Sequence, residues 1–319
     1  MSFKIIGTGK YVPEKVVTND DLAKIVETSD EWIKKRVGVD ERHLSSGETT
    51  SQMAFQAAKA ALENAGVSPE ELDLIIVSTV SGDTITPSMS CKIQQMLGAS
   101  CNCYDINAAC AAFLYLLETS AGHFARGKCK KALVVGAERL SALVDWSDRS
   151  TCVIFGDGAG AAVLEEGDCY LDSVFTVKGG DSVIKIPTHK GISPYFLGEQ
   201  EKPFIHMQGQ ETFKYAVNAL CTDIKTIMDR NSLTIDDIAY IIPHQANVRI
   251  IDFASKKLDI PIEKFVINMQ KYGNTSSASI PIALDELGRS GKLKSGDLII
   301  MCAFGGGLAS GANLIRWEK

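Results

Sequence analysis

The 319-residue chain is predicted to be an α/β protein made of two similar halves. Near-continuous apolar segments, such as 72–80 and 297–304, have the composition of buried strands, and they alternate with helical segments. In addition, residues 67–78 align without a gap on 233–244, and each segment follows a helix and leads into a strand. An internal duplication explains this match, although α/β proteins also share such patterns by chance. We place the two halves at 1–166 and 167–319.

The elements follow one another in a similar order in both halves. The register of the repeat carries Cys110 onto Ser276, so that Cys110 and Asn274 mark corresponding helix starts. The Gly- and Pro-rich segment 174–203 is predicted to be a long irregular insertion, a kind of loop that often covers a site. The other predicted elements are strands at 131–136, 158–164, 238–242 and 312–317, and helices at 49–65, 212–230, 249–258 and 276–287, with one more within 104–123.

Composition and charge exclude several classes of protein. The net charge of -6 argues against nucleic acid as the main partner. The nine cysteines are scattered without a disulfide framework, which suits a reducing cytoplasm, and they lack the spacing of a metal site. We recognise no signal peptide and no apolar stretch long enough to span a bilayer. We therefore expect a cytoplasmic protein with no metal and no membrane partner.

Cys110 is the first candidate for a catalytic residue. It follows small residues at the start of the apolar helix within 104–123, and we place it in the first helical turn. There the positive end of the helix dipole and unpaired N–H groups would favour the thiolate. The neighbouring alanines leave room beside the sulfur. The alternative is an inert cysteine, since free cysteines are among the most buried residues.

Three loops offer partners for such a thiolate. His244 follows a buried strand, at the sheet edge where α/β proteins bind ligands, although a histidine there is alternatively structural. Asn274 precedes a helix and alternatively caps it. The glycines of loop 305–307 bring backbone N–H groups close to a ligand, or simply form a flexible turn. Together with Cys110 these loops would supply a nucleophile, neutral donors and an oxyanion hole, which suits thioester chemistry.

Several motifs occur in an order that resembles the β-ketoacyl-acyl-carrier-protein synthase III family, condensing enzymes of the thiolase-like superfamily. The resemblance covers almost the whole chain and implies a five-layered αβαβα fold of two duplicated halves. The Cys, His and Asn set differs from the Cys, His, His of elongating synthases and the Cys, His, Cys of thiolases. The motifs are TSDEWI and RVGV within 28–39, DINAACAAF at 105–113, FGDGAGA at 155–161, HQANVR at 244–249, GNTS at 273–276 and FGGG at 304–307.

The resemblance implies a two-stage Claisen condensation catalysed by an acyltransferase of fatty-acid synthesis. Cys110 would attack an acyl-CoA primer, and the backbone N–H groups of Cys110 and Gly306 would form the oxyanion hole. Malonyl-acyl carrier protein would then bind to His244 and Asn274 and lose carbon dioxide, giving β-ketoacyl-acyl carrier protein. Family membership implies a homodimer and no cofactor, with acyl-CoA as a substrate.

The resemblance also implies residues that bind substrates. Trp32 and Arg149 would hold the CoA adenine between them, although Trp32 alternatively belongs to the core and Arg149 to a surface ion pair. The basic residues implied for the carrier protein are alternatively an ordinary solvated helix face. The implied sets are Thr28, Trp32, Arg36, Arg149, Met207, Gly209, Phe213, Ala246 and Asn247 for CoA, Thr86 and Phe304 for the acyl pocket, and Lys214, Arg249, Lys256 and Lys257 for the carrier protein.

Three positions depart from the family pattern. Thr86 stands where some relatives carry Phe that lines the acyl pocket from the dimer partner, and a smaller residue there would admit branched or longer primers. Ala112 replaces a glycine after the cysteine, and Ala309 with Ser310 replaces a Thr-Trp pair. Two other functions remain open at this stage: a related acyltransferase of secondary metabolism, and a non-catalytic CoA-binding relic. The complete set of Cys110, His244 and Asn274 argues against the relic.

Overall fold

The computed structural model describes residues 2–188, 194–195, 198 and 201–319. Residues 189–193, 196–197 and 199–200 of the predicted insertion lie outside the described residues. The strands are β1 (Ser2–Tyr11), β2 (Val16–Thr18), β3 (Glu41–His43), β4 (Leu74–Ser78), β5 (Asn102–Asp105), β6 (Lys131–Arg139), β7 (Asp157–Gly167), β8 (Tyr170–Gly180), β9 (Ile184–Lys185), β10 (His206–Met207), β11 (Ile238–Pro243), β12 (Leu298–Gly305) and β13 (Gly307–Arg316). The helices are α1 (Asn19–Leu22), α2 (Asp30–Arg36), α3 (Thr50–Ala65), α4 (Met89–Leu97), α5 (Ala112–Ala125), α6 (Arg149–Cys152), α7 (Gly209–Arg230), α8 (Val248–Leu258), α9 (Met269–Tyr272) and α10 (Ser279–Arg289).

Two sheets form the centre of the fold, and four strands of the first have the same order as the four strands of the second. The first sheet has the order β1-β7-β6-β4-β5, and the second has the order β8-β13-β12-β11. In both sheets a parallel pair, β6 with β4 or β12 with β11, is followed by two antiparallel pairings, and the first sheet has a second parallel pair, β4 with β5. This common order agrees with the predicted duplication, while the boundary between 166 and 167 stays a prediction.

Helices lie between and outside the sheets because successive strand residues point to opposite faces. On β6, Ala132 and Val134 face the central core, whereas Leu133 and Val135 face the outer helices. The central layer contains α5 and α10, which pack against both sheets. The outer layers contain α3 and α4 on the first sheet and α7 and α8 on the second. The five-layered αβαβα arrangement predicted from the sequence is therefore present.

At the centre of the molecule, the structural equivalence of the two halves differs by one residue from the register predicted by the sequence repeat. The 3-10 turns Ala109–Ala111 and Ser276–Ala278 lead into α5 and α10. Each turn begins with a residue of positive φ, 47° at Ala109 and 49° at Ser276. The structural counterpart of Ser276 is therefore Ala109, and the register that pairs Ser276 with Cys110 is wrong by one residue.

Three predictions about elements are wrong in detail. Residues 174–180 are regular, because they form most of β8 and pair with β13. Strand β11 extends one residue past the predicted end at 242, because Pro243 still lies beside Cys302 of β12. Cys110 is not in the first turn of an α-helix, because it lies in the 3-10 turn that precedes α5.

Gly136 allows the two halves to approach each other closely. A Cβ atom at this position of β6 would overlap the backbone carbonyl of Ser277. We expect Gly136→Ala to lower the free energy of unfolding by about 1–3 kcal/mol, the usual cost of overpacking a core, as measured by urea denaturation. Gly122→Ala is the control, because Gly122 is helical and has no heavy atom near its Cβ position. Equal stability of the two variants would contradict the close approach.

Candidate active site

A mainly apolar cavity of about 180 Å³ lies where the two halves meet. Both halves contribute to it, because the ends of the central strands and the 3-10 turns converge there. Ten of the residues singled out in the sequence line this cavity: Cys110, Met207, Gly209, Phe213, His244, Ala246, Asn247, Asn274, Phe304 and Gly306. The structure therefore brings together the three catalytic candidates and one candidate for the oxyanion hole.

Cys110 contacts the glycine loop of the second half. A Cβ atom at Gly305 would lie 2.8 Å from the backbone nitrogen of Cys110, so only glycine fits there without a shift. The next residue, Gly306, lines the cavity beside Ala109. This close approach brings the backbone of Gly306 to the same cavity as the Cys110 thiol, which an oxyanion hole formed by these two residues requires.

The surroundings of Cys110 oppose ionisation of the thiol. Burial raises the pKa of the Cys110 thiol to about 11, a hydrogen bond from Ser276 acts in the opposite direction, and the charge of Glu138 adds to the rise. The sequence led us to expect a thiolate favoured by the helix dipole. The structure corrects that expectation, because removal of the sulfur from water has the larger effect.

His244 is buried, 2 % exposed, at the end of β11. Its Nδ1 lies 2.7 Å from Ser279 Oγ, and that oxygen also accepts the N–H of Gln245 at 3.4 Å. When the serine hydroxyl donates its proton to Nδ1, Nε2 carries the ring hydrogen and is the N–H donor. Burial lowers the pKa of His244 to about 3, so the imidazole is neutral at physiological pH.

Asn274 presents its amide nitrogen and not its amide oxygen as the free group. Asn274 Oδ1 accepts the backbone N–H of Ser276 at 2.8 Å and closes a local turn, but the N-cap of the 3-10 turn is Thr275, so Asn274 is not the helix cap that the alternative interpretation predicted. The side-chain hydrogen bond of Asn274 to the described residues uses Oδ1 and leaves Nδ2 available, and the residue lines the cavity. The local turn and ligand binding are therefore compatible, because they use different atoms of one amide.

The FGDGAGA motif supports the loop that carries Asn274. Phe155 and Asn274 form an isolated β-bridge, in which Gly156 N–H donates to the Asn274 carbonyl at 3.1 Å. A Cβ atom at Gly156 would overlap the carbonyl of Tyr272. The first glycine of the motif therefore permits close packing of backbone against backbone.

The residues implied for the CoA nucleotide lie outside the cavity. The Arg149 guanidinium stacks on the Trp32 ring at 4.9 Å from its centroid, and Arg149 Nη1 donates to the Glu27 carbonyl. The two side chains contact each other directly, so Arg149 has to move aside before a purine can lie between them. Thr28 Oγ1 is buried without a partner among the described residues, and Arg36 is exposed.

Asn247 is largely committed to other contacts. Its Oδ1 accepts the N–H of Arg249 at 2.9 Å and caps α8, while its Nδ2 donates to the Arg36 carbonyl at 3.1 Å. One hydrogen of Nδ2 remains for a ligand. The structure therefore joins the RVGV and HQANVR motifs through Asn247.

The remaining predicted residues lie on the surface. The Arg249 guanidinium lies 5.5 Å from the Phe213 ring centroid, beside the cavity. Lys214 pairs with Glu211 at 2.9 Å, and Lys257 donates to Asn218 at 2.8 Å. Five predicted residues are exposed and do not line the cavity: Thr86, Lys214, Arg249, Lys256 and Lys257.

Three polar residues at the site were missed in the sequence. Ser276 donates its hydroxyl to Cys110 Sγ at 3.2 Å, and Ser279 contacts His244. Glu138 is fully buried and accepts the Ser277 hydroxyl at 2.7 Å. The serine-rich run after Asn274 was a usable signal, whereas nothing in the strand sequence around Glu138 distinguishes it. The apolar lining that was also missed comprises Val80, Leu140, Ile154, Ile184, Ile186, Ile205 and Ile250.

Metal and membrane features were also sought in the part of the chain that the structure describes. Asp168, Cys169 and Glu318 form the only group there whose ligand atoms could jointly hold a metal ion, and none of the three lines the cavity. None of the nine cysteines forms a disulfide bond. Among the described helices, none has the length and apolarity needed to cross a bilayer.

Two sheets that share an order of four strands, with the helices α5 and α10 packed between them, define a thiolase-like α/β protein. Residues 104–179 match the family model described as 3-oxoacyl-[acyl-carrier-protein] synthase III, and residues 228–317 match the model of its C-terminal part. The chain is 47% identical to a β-ketoacyl-[acyl-carrier-protein] synthase III of Clostridium acetobutylicum over 100% of this chain and 99% of that protein. It therefore belongs to the 3-oxoacyl-[acyl-carrier-protein] synthase III family.

Solved structures agree with this assignment. The structure of 3-oxoacyl-[acyl-carrier-protein] synthase III from Aquifex aeolicus superimposes with a TM-score of 0.93 at 46% identity, covering 99% of this chain and 100% of that chain. A synthase III from Pseudomonas aeruginosa gives a TM-score of 0.92 at 34% identity, covering 100% and 99%. The family and the thiolase-like fold predicted from the sequence are confirmed.

The neutral imidazole of His244 makes stability depend on pH in a defined window. Because burial lowers its pKa from 6.5 to about 3, the unfolded chain takes up a proton in this range and the folded chain does not. Stability from this group is fully present above pH 6.5 and is lost as the pH falls towards 3. Urea denaturation gives the free energy of unfolding of the wild type and of His244→Gln. We expect the wild-type value minus the variant value to decrease as the pH falls from 6.5 to 3. A constant difference would contradict the buried neutral state.

Proposed function

We propose that the protein condenses an acyl-CoA primer with malonyl-acyl carrier protein to give β-ketoacyl-acyl carrier protein, CoA and carbon dioxide. The observation that carries this proposal is the cavity shared by a thiol and three uncharged donors: Cys110 Sγ, His244 Nε2, Asn274 Nδ2 and the backbone of Gly306. The names of the relatives support the same reaction, an acyl transfer that initiates fatty-acid synthesis. A priming β-ketosynthase of the R1128 polyketide pathway is also similar, at 34% identity, but the relatives at 46–47% identity are named synthase III, which favours fatty-acid synthesis over secondary metabolism.

In the first stage the Cys110 thiolate attacks the carbonyl carbon of the acyl-CoA thioester. The negative charge that develops on the carbonyl oxygen is accepted by the backbone N–H groups of Cys110 and Gly306. The carbon–sulfur bond to CoA then breaks, CoA leaves as a thiolate that takes up, through solvent, the proton lost by the Cys110 thiol, and the acyl group remains on Cys110. The apolar lining suits an acyl chain and excludes water from the thioester.

In the second stage the malonyl thioester carbonyl accepts hydrogen bonds from His244 Nε2 and Asn274 Nδ2. The bond to the malonyl carboxylate breaks, carbon dioxide leaves, and the resulting enolate is stabilised by the same two donors. Its carbon attacks the acyl carbonyl on Cys110, and the cysteine thiolate is released. Neutral donors suit this step, since a carboxylate in either position would repel the enolate. No cofactor or metal takes part.

The substrates reach the cavity past the CoA and carrier-protein residues. Stacking on Trp32, with Arg149 displaced from its present contact, would bind the adenine. The exposed basic residues Arg249, Lys256 and Lys257 on α8 offer an acidic carrier protein a positive surface beside the cavity, despite the overall charge of -6. Lys214 of α7, already paired with Glu211, extends this surface.

The protein is proposed to act as a cytoplasmic homodimer. Ile85, next to Thr86, is 91% exposed in the single chain, an unusual degree for a large apolar residue. A partner subunit that covers this loop would explain the exposure and would bring Thr86 to the partner's acyl pocket. A threonine at that position leaves more room for the primer than a phenylalanine.

The roles of Cys110 and His244 separate the two stages. We expect Cys110→Ala to lose all acyl transfer from acyl-CoA, because no nucleophile remains. We expect His244→Ala to keep acyl transfer and to lose malonyl decarboxylation by roughly 100-fold or more, because one enolate donor is absent. Intact-protein mass spectrometry measures the first stage, and release of labelled carbon dioxide measures the second. An acylated Cys110→Ala protein would refute the assignment of the nucleophile.

Thr86 is expected to control the size of the primer. Thr86→Phe should lower kcat/KM for isobutyryl-CoA relative to acetyl-CoA by roughly tenfold, the effect of one poorly accommodated branch in an apolar pocket. The ratio of the two substrates, measured with one enzyme preparation, is its own control for folding and dimerisation. An unchanged ratio would show that Thr86 does not limit the pocket.

A further inference from the structure

Ser276 contacts the sulfur of Cys110 from a backbone conformation that residues other than glycine rarely adopt. Its Oγ donates to Cys110 Sγ at 3.2 Å, and its φ is 49°. No other side chain among the described residues forms a hydrogen bond with this sulfur. Ser276 is itself 2% exposed, so its hydroxyl is directed into the interface between the halves and away from solvent.

The surrounding structure holds Ser276 in this conformation from both sides. Its N–H donates to Asn274 Oδ1 at 2.8 Å, which fixes the residue to the loop before it. The next residue, Ser277, donates its hydroxyl to Glu138 Oε1 at 2.7 Å. Glu138 in turn accepts the Ser81 hydroxyl at 2.6 Å and the N–H of Val80 at 3.1 Å. Strained backbone that is fixed on both sides in this way is typical of functional positions.

The charges around Cys110 leave the hydroxyl of Ser276 as the main contact that favours a thiolate. The titratable groups facing the sulfur are Glu138 at the end of β6 and His244 at the end of β11. Glu138 raises the thiol pKa, and His244 is neutral because burial lowers its own pKa. The other elements packed against the turn, β12, β13 and α5, present uncharged groups to the described cavity, which no Lys or Arg lines.

We propose that Ser276 is a catalytic residue of the acyl-transfer stage, whose hydroxyl donates a hydrogen bond to the Cys110 thiolate as it attacks the primer. The proposal rests on the proposed role of Cys110 as the nucleophile. Acylation removes the charge from the sulfur, so the hydroxyl contributes in the free enzyme and the first transition state, and again when the cysteine thiolate is released at the end of the second stage. The backbone N–H of Ser276 serves the second stage separately, because it orients Asn274.

The two functions of Ser276 can be separated by one substitution. Ser276→Ala removes the hydroxyl and keeps the N–H that holds Asn274. The readout is the pH dependence of Cys110 alkylation by iodoacetamide, followed by mass spectrometry of the peptide that contains Cys110. We expect the midpoint to move to higher pH by about one unit and the rate at neutral pH to fall roughly tenfold, the effect of one lost hydrogen bond to a charged group.

Ser277→Ala is the matched control, because it lies in the same turn and its hydroxyl binds Glu138 and not Cys110. The midpoint pH of Cys110 alkylation in Ser277→Ala is expected not to rise, even if the substitution changes the stability of the protein. Ser276→Gly, which relieves the strained φ, should behave like Ser276→Ala. The proposal is overturned if Ser276→Ala has the wild-type midpoint, if Ser277→Ala shifts upward equally, or if Ser276→Gly restores the wild-type profile.

This test is independent of the proposed function. If the wild type fails to form an acyl-cysteine with acyl-CoA, the proposed condensation is wrong, although the alkylation profiles still report on the hydrogen bond. If the wild type is acylated and the profiles of wild type and Ser276→Ala coincide, only the role of Ser276 is wrong.

Discussion

The structure depends on the contact between two 3-10 turns, one from each half, at the centre of the molecule. Each turn fits because the other half presents a glycine to it: Gly305 packs on the backbone of Cys110, and Gly136 packs on the carbonyl of Ser277. Larger residues would separate the sheets at this level. The cavity, the donor set and the hydrogen bond between Ser276 and Cys110 all follow from this approach of backbone to backbone.

Duplication explains why the two 3-10 turns meet, and sequence divergence explains why one carries a thiol and the other a hydroxyl. Ala109 and Ser276 have the same unusual φ and correspond between the halves. In the first half the following residue, Cys110, supplies the thiol, whereas in the second half the positive-φ residue itself reaches that thiol. The Cys110 sulfur and the Ser276 hydroxyl come from positions that differ by one residue between the halves. Two strictly equivalent positions would bring two side chains of the same position together instead.

Sequence reasoning succeeded where a pattern is local. Buried strands such as β4 and β12, the Cys110 and Asn274 loops and the strand-end His244 were all predicted from neighbouring residues. It failed where the determining contact is distant. The regular pairing of β8 with β13 and the burial of Glu138 against Ser277 join segments far apart in the chain. The pKa of Cys110 was misjudged for the same reason, because its solvent exclusion comes from the second half.

Burial raises the pKa of the thiol and lowers that of the imidazole, so the free site is uncharged at both positions. That state suits a reaction whose two stages each develop negative charge on an oxygen. In a cavity with little water, a donor such as the Gly306 N–H or Asn274 Nδ2 stabilises such a charge far more than it does in water. Exclusion of water makes the thiolate costly, but it also strengthens the hydrogen bonds from the two donor pairs, Cys110 with Gly306 and His244 with Asn274, to the negatively charged oxygens. A fixed cation beside Cys110 would ease formation of the thiolate, but it would also bind the malonyl carboxylate and oppose its loss as carbon dioxide. A neutral hydroxyl donor next to the sulfur avoids that conflict.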